Sequence, residues 1–249
     1  MHELKKNIPN FITLGNLIFG LFAILFSFYS DLKIASICIF FGAFLDFFDG
    51  LSARILNVHS ELGKQLDSMA DIITFGIAPG FIMFQLLGGS IYSMYSLEFF
   101  LNLIKKGEIL DNIRILSPLV SFIIPVLSAY RLAKFNIDSK QKTNFIGLPT
   151  PITGILIASL PLINTEIFPF FLNQIILTLI AIIMSFLLIS KIPFFSFKIS
   201  KNENLLTRVN IFRITLVATS ILLLLIFSFS AVPLIIILYI ILSLINNIL

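Results

Sequence analysis

The chain has 249 residues, of which 58% are hydrophobic and only 12% charged, about half the charge of an ordinary soluble domain. That balance excludes a soluble globular protein, and a net charge of +4 is no footprint for nucleic acid, because in so apolar a chain the placement of charge matters more than its sum. The single Cys38, set in an apolar run, excludes a disulfide framework and reads as a buried, inert thiol.

Apolar runs of about 20 residues, long enough to cross a bilayer, recur from end to end. They predict an all-α polytopic membrane helix bundle, a single integral-membrane domain over residues 1–249 with eight transmembrane helices, at roughly 10–30, 32–54, 66–90, 114–135, 150–165, 168–190, 209–229 and 231–248. The first run is too long for a cleavable signal and no small-residue cleavage site follows it. The second span carries polar insertions. The fifth is short and contains Pro149, Pro151 and Pro161.

Lys and Arg sort these spans by side. With the N-terminus inside, the inner segments hold Lys5, Lys6, Arg54, Lys64, Arg131, Lys134, Lys140, Lys142, Lys191, Lys198, Lys201, Arg208 and Arg213. The outer segments hold only Lys33, Lys105, Lys106 and Arg114. The positive-inside rule therefore predicts both termini, and the linker between the second and third spans, on the cytoplasmic face. In the outer connection, residues 91–112, Leu97 to Lys106 suits a short amphipathic helix or a plain loop. In the inner loop 191–208, Phe194, Phe195 and Phe197 beside Lys198 and Lys201 suit an interfacial segment at anionic head groups, or an ordinary basic loop.

The chain's electrostatic anomaly lies on the second and third spans. Four of the thirteen acidic residues, Asp46, Asp49, Asp67 and Asp71, fall within spans, where a carboxylate is costly and is kept for function. On helices, Asp46 and Asp49 share a face, with Gly50 and Ala53 continuing it. Gly63, Asp67 and Asp71 recur every four residues on another. A short linker makes the two helices antiparallel neighbours whose acidic faces can meet. Small residues at 50, 53 and 63 leave room for a ligand or a backbone. An all-oxygen donor set favours hard cations, and four carboxylates can share two of them around a phosphoryl group. The charges alone leave two classes open: a metal-dependent phosphotransfer enzyme, and a transporter with an intramembrane ion path.

The spacing separates them. The string D-x-x-D-G-x-x-A-R-x₈-G-x-x-x-D-x-x-x-D, filled by Asp46, Asp49, Gly50, Ala53, Arg54, Gly63, Asp67 and Asp71, resembles the signature of the CDP-alcohol phosphotransferase family. Three further stretches resemble the bacterial and archaeal phosphatidylserine synthases within it: Pro9 to Gly20, Asp71 to Pro79, and Tyr130 to Asn136 followed by Phe145 to Pro151. The motif-bearing core is about 9–155, and the spans from about 168 to 249 match only in being apolar.

The resemblance implies a phosphatidyl transfer from CDP-diacylglycerol to L-serine that releases CMP. It implies two divalent cations, Mg²⁺ or Mn²⁺, on Asp46, Asp49, Asp67 and Asp71, with Asp71 also the general base. Gly50, Ala53, Arg54, Ser60 and Gly63 are the implied contacts to the CDP-lipid. Arg54 also suits a positive anchor at a helix end. Asn10 and Thr13 are either further polar contacts or caps of the first helix. Arg131, with Lys134 second, suits the serine carboxylate or simple topology anchoring. Gly147, Pro149 and Pro151 shape the turn into the fifth span, and His59 reads as a solvated loop residue. A homodimer in contact with membrane lipids, and an integral inner-membrane location, complete the expectation. Another family acceptor, glycerol phosphate or inositol phosphate, and the transporter remain the alternatives.

Overall fold

A computed structural model describes residues 2–58, 60–89, 117–137, 145–195 and 207–248. Helix α1 spans His2–Phe28, α2 Leu32–Ile55 and α3 Glu61–Asp71. α3 continues through a π-helical turn, Ile72–Ile77, into α4, Ala78–Phe84, and then a second π-helical turn, Gln85–Gly89. A 3-10 turn at Ser117–Phe122 leads into α5, Ile123–Ile137. The remaining helices are α6, Thr150–Ser159, α7, Gln174–Ile189, α8, Arg208–Phe227, and α9, Ala231–Ile248. Among the described residues the one sheet is a pair of two-residue strands, β1, Phe145–Ile146, antiparallel to β2, Pro193–Phe194.

The all-α membrane architecture is as expected. Five helical stretches are long and apolar enough to cross a bilayer, and Thr150–Leu162 and Gln174–Ile189 are shorter apolar helices. The last long stretch, Arg208–Asn247, has 40 residues. It is broken at Ser228, whose φ is +52°, into α8 and α9, which pack on each other. Among the described residues, apolar helices overlap all eight expected positions, though only five stretches are long enough to cross a membrane. The lipid-facing side of α1 is legible at helical spacing: Phe11, Leu14, Ile18, Leu21, Phe22 and Leu25 are all exposed.

The third span is the centre of the bundle. Of its apolar window 61% is buried, against 22–33% for the other four long spans. Its π-helical turn has a local cause. Pro79 lacks the N–H that an α-helix would place on Phe75, and its ring would crowd that carbonyl. The chain widens instead, and Ala78 N–H reaches back to the Ile73 carbonyl. Helices α1, α5 and α6 pack around this turn.

Two expectations are corrected. α1 begins well before residue 10, so Asn10 and Thr13 lie inside the helix and do not cap it. Phe194 and Phe195 are not interfacial: both are buried, Phe194 completely, with ring centroids 5.9 and 5.1 Å from that of Tyr239 on α9. The expected amphipathic helix at Leu97 to Lys106, and Phe197, Lys198, Lys201 and His59, lie outside the described residues.

Candidate active site

Helix capping and close packing set the acidic faces. Asp31 caps α2 by accepting from Ile34 N–H at 3.2 Å. Ser60 caps α3 by accepting from Gly63 N–H at 2.9 Å, which satisfies one of the four free donors of that terminus. α1 packs closely on both α2 and α3. The acidic segments therefore meet across a shared neighbour rather than along a direct seam. Gly63 permits this: a Cβ there would stand 2.9 Å from Ser60 Oγ and 3.0 Å from Asn10 Oδ1.

The carboxylates converge. One oxygen from each of Asp46, Asp49 and Asp67 lies within 4.8 Å of the others. Asp71 stands outside this group of three, with its carboxyl against that of Asp46. Its Oδ1 is buried with no hydrogen-bond partner among the described residues. Thr13 Oγ1 donates to Asp49 Oδ2 at 2.7 Å and also approaches the Pro9 carbonyl at 3.0 Å. Asp49 and Thr13 are both buried, at 6% and 3% exposure. Four carboxylates this close repel unless positive charge is held between them, and an all-oxygen donor set is what Mg²⁺ and Mn²⁺ take. The residues present fit a divalent-cation site.

A cavity of about 480 Å³ opens beside this group, within the roughly 300–1,000 Å³ of small-molecule sites. Its walls include Asn10, Thr13, Asp49, Gly50, Ala53 and Ser60, closed by Gly63 and Asp67. The structure thus brings every expected CDP-lipid residue but one to a single cavity. The exception is Arg54. It is exposed, and its Nε donates to the Gly50 carbonyl at 2.9 Å, so its head lies over the cavity rim. Gly50 has open space around a hypothetical Cβ, its nearest neighbour being Arg54 Nη2 at 3.8 Å. It widens the cavity, whereas Gly63 brings two helices together.

Arg131 is not among the residues that line the cavity. It is only 8% exposed, and its Nη1 donates to Thr150 Oγ1 at 2.9 Å. Its guanidinium stands 5.9 Å from the centre of the Phe135 ring and within electrostatic reach of Asp71 and Tyr239. Its Nε has no hydrogen-bond partner among the described residues. Lys134 is exposed at the end of the same helix. The two share a recess of only about 10 Å³ with Tyr130, Phe135 and Ser190.

Some residues at this site escaped the sequence reading. Lys64 lines the cavity and ties α3 to α5 by donating from Nζ to the Asn136 carbonyl at 2.9 Å. Its place beside Gly63 in the signature was a usable signal. Thr150 lies inside the Phe145 to Pro151 stretch, which was a usable signal, whereas Tyr239 gave none, being a lone polar residue in an apolar run.

The chain belongs to the CDP-alcohol phosphatidyltransferase family, whose model matches residues 6–188. Among its relatives is the CDP-diacylglycerol–serine O-phosphatidyltransferase of Bacillus subtilis, 38% identical over 198 residues, covering 80% of this chain and 95% of that protein. The protein of the same name from Methanocaldococcus jannaschii is 28% identical over 187 residues, 74% of each chain. The archaetidylserine synthase of Methanothermobacter thermautotrophicus is 28% identical over 190 residues, 75% of this chain and 69% of that one. The group of Asp46, Asp49 and Asp67 is a candidate metal site in a chain whose described residues include five helical stretches long and apolar enough to cross a membrane.

Proposed function

We propose that this chain is a CDP-diacylglycerol–serine O-phosphatidyltransferase, transferring the phosphatidyl group of CDP-diacylglycerol to L-serine. The observation that carries the reading is the meeting of Asp46, Asp49 and Asp67 within 4.8 Å at the wall of a cavity lined by the rest of the signature. The names of the relatives supply the acceptor.

In this mechanism the cytidine diphosphate head occupies the cavity, against Asn10, Gly50, Ala53, Ser60 and Gly63. Thr13 acts on the site by holding Asp49. The planar fork of Arg54, already over Gly50, turns to the diphosphate, which it can pair with at two oxygens. Two divalent cations, Mg²⁺ or Mn²⁺, held by Asp46, Asp49, Asp67 and Asp71, would neutralise the diphosphate's charge and the charge that develops on the departing CMP. Asp71, beside Asp46 and within electrostatic reach of Arg131, serves as the base that takes the proton from the incoming hydroxyl. The serine Oγ attacks the phosphorus that bears the diacylglycerol. A new P–O bond forms, the bond from that phosphorus to the bridging oxygen of the diphosphate breaks, and CMP departs with the bonding pair. The serine proton passes to Asp71 and then to water. Arg131, with Lys134 at the entrance, receives the serine carboxylate, for which a guanidinium is the natural partner.

The acyl chains stay in the bilayer while serine arrives from the cytoplasm, the side that the Lys and Arg placement favours. We assign the whole chain, 1–249, to one integral-membrane domain with both termini cytoplasmic, working as a homodimer among membrane lipids. The decisive experiment offers purified protein CDP-diacylglycerol, Mn²⁺ or Mg²⁺, and each candidate alcohol in turn, and measures CMP. Serine-dependent release is the expected result. Release with glycerol 3-phosphate but none with serine would overturn the acceptor. No release with any alcohol, together with cation movement in liposomes, would overturn the enzyme.

A further inference from the structure

The segment matched by the family ends at residue 188, yet the last helix of the chain reaches back to the acceptor side of the site. Two side chains of α9 grip the short strap that follows α7. Tyr239 Oη donates to the Phe195 carbonyl at 3.0 Å. Asn247 Nδ2 donates to the Pro193 carbonyl at 2.7 Å. The Tyr239 ring also stacks on Phe194 at an interplanar angle of 27° and meets Phe195 edge-on at 72°. The strap in turn holds the stretch leading into α6. Phe145 and Ile146 pair with Phe194 and Pro193 and Gly147 N–H donates to the Ile192 carbonyl, while Leu148 N–H donates to the Leu187 carbonyl near the end of α7, both at 2.9 Å. Two residues further on, Thr150 accepts the hydrogen bond of Arg131.

This is a continuous set of polar and aromatic contacts from α9 to the guanidinium. The backbone carbonyls gripped by α9 are in a part of the chain with little regular structure, so side-chain ties decide where it sits. Tyr239 is 5% exposed and Phe194 completely buried, so the aromatic half of the joint is packed, while the Asn247–Pro193 bond lies at the surface.

We propose that Tyr239 and Asn247 are positioning residues for the serine subsite: by fixing the 192–195 strap they hold Thr150, and through it Arg131, in the pose that receives the acceptor's carboxylate. The inference rests on the assignment of Arg131 to that carboxylate. It gives the C-terminal helix a specific task, the selection and orientation of the acceptor, distinct from CDP-lipid binding in the cavity walled by α1, α2 and α3.

The test is a set of full-length variants assayed for CMP release with each substrate varied in turn. Tyr239→Phe keeps the ring and loses the bond to Phe195 together with the hydroxyl's contact with Ser243. Asn247→Ala alters an exposed residue far from the cavity. Each is expected to raise the KM for serine about three- to tenfold, the worth of one neutral hydrogen bond, with the KM for CDP-diacylglycerol unchanged and the thermal midpoint lowered only modestly, as the loss of one hydrogen bond implies. The double variant should raise the serine KM further. Unchanged serine KM in both single variants, or equal increases for both substrates, would overturn the proposal. Arg131→Ala separates the two layers. If it leaves the serine KM unchanged, the Arg131 assignment itself fails, and the strap proposal with it. If it loses serine affinity while both strap variants behave like wild type, only the positioning role fails.

Discussion

Thr13→Val tests how much the acidic group depends on its neighbour. Valine has nearly the shape of threonine, so little packing changes at a position only 3% exposed. What goes is the 2.7 Å hydrogen bond to Asp49 Oδ2. A hydrogen bond to a charged group is worth about 1.5–3 kcal/mol. The same hydroxyl also approaches the Pro9 carbonyl at 3.0 Å, and it has one proton to share, so the lower half of that range applies. About 1.5–2 kcal/mol corresponds to a roughly 10- to 30-fold loss, at about 1.4 kcal/mol per decade. This agrees with the roughly 10- to 100-fold effect of removing a group that orients a metal ligand. The assay is direct Mn²⁺ binding by electron paramagnetic resonance, with the Mn²⁺ dependence of CMP release beside it. Thr13→Ser, which keeps the hydroxyl, should bind Mn²⁺ within about threefold of wild type, under 1 kcal/mol. A folded Thr13→Val protein with unchanged Mn²⁺ affinity would refute the claim that Asp49 is a ligand oriented by Thr13.

Asp71→Asn should reduce turnover by at least about 100-fold, the lower bound for a general base, while CDP-diacylglycerol binding, followed by equilibrium dialysis, stays measurable; near-normal turnover would remove Asp71 from the role of base. Arg131→Ala should raise the serine KM by about 10-fold or more, as loss of a charged hydrogen bond implies, and leave the CDP-lipid KM within a factor of two or so; equal effects would make Arg131 structural. Gly147→Ala should lower the thermal midpoint, because φ there is +80° and a left-handed residue other than glycine costs about 1–2 kcal/mol, to which the overlap of the new Cβ with the Leu188 carbonyl adds. An unchanged midpoint in a thermal scan would show that the turn relaxes without cost.

The sequence carried the eight apolar segments because bilayer thickness writes itself into chain length, and it carried the acidic group because charge in an apolar span has few reasons to exist. Besides Asp49 and Asp67 it located six of the cavity-lining residues: Gly50, Ala53 and Gly63, since a fixed spacing on two helices translates directly into faces, and Asn10, Thr13 and Ser60, which came with the resemblance. The position of α1 against both α2 and α3 was not legible. Helical spacing says which residues share a face, but not which third helix covers it. The start of α1 at His2 was hidden by Lys5 and Lys6, which break the apolar run without breaking the helix. Arg131 was noticed as a cation, yet its burial against Thr150 depends on contacts 19 residues apart. The tie from Tyr239 to Phe195, 44 residues apart, likewise leaves no periodic trace.

The π-helical turn between Asp71 and Ala78 gives one continuous span two angular phases. Each residue advances an α-helix by about 100°, and the wider turn inserts close to one residue of extra length. The carboxylates above it and the membrane-core face below it are therefore aimed independently. Gly76 and Gly80, which lie against Ser128 and Pro125 of α5, can keep their seating whatever direction the acids require. Restoring an uninterrupted α-helix, by deleting one residue within 72–77, would force a choice: either the acids turn away from the nucleotide cavity or the lower half unseats from α5. The span works as a swivel joint frozen at one angle, and the proline at 79 is what keeps it frozen.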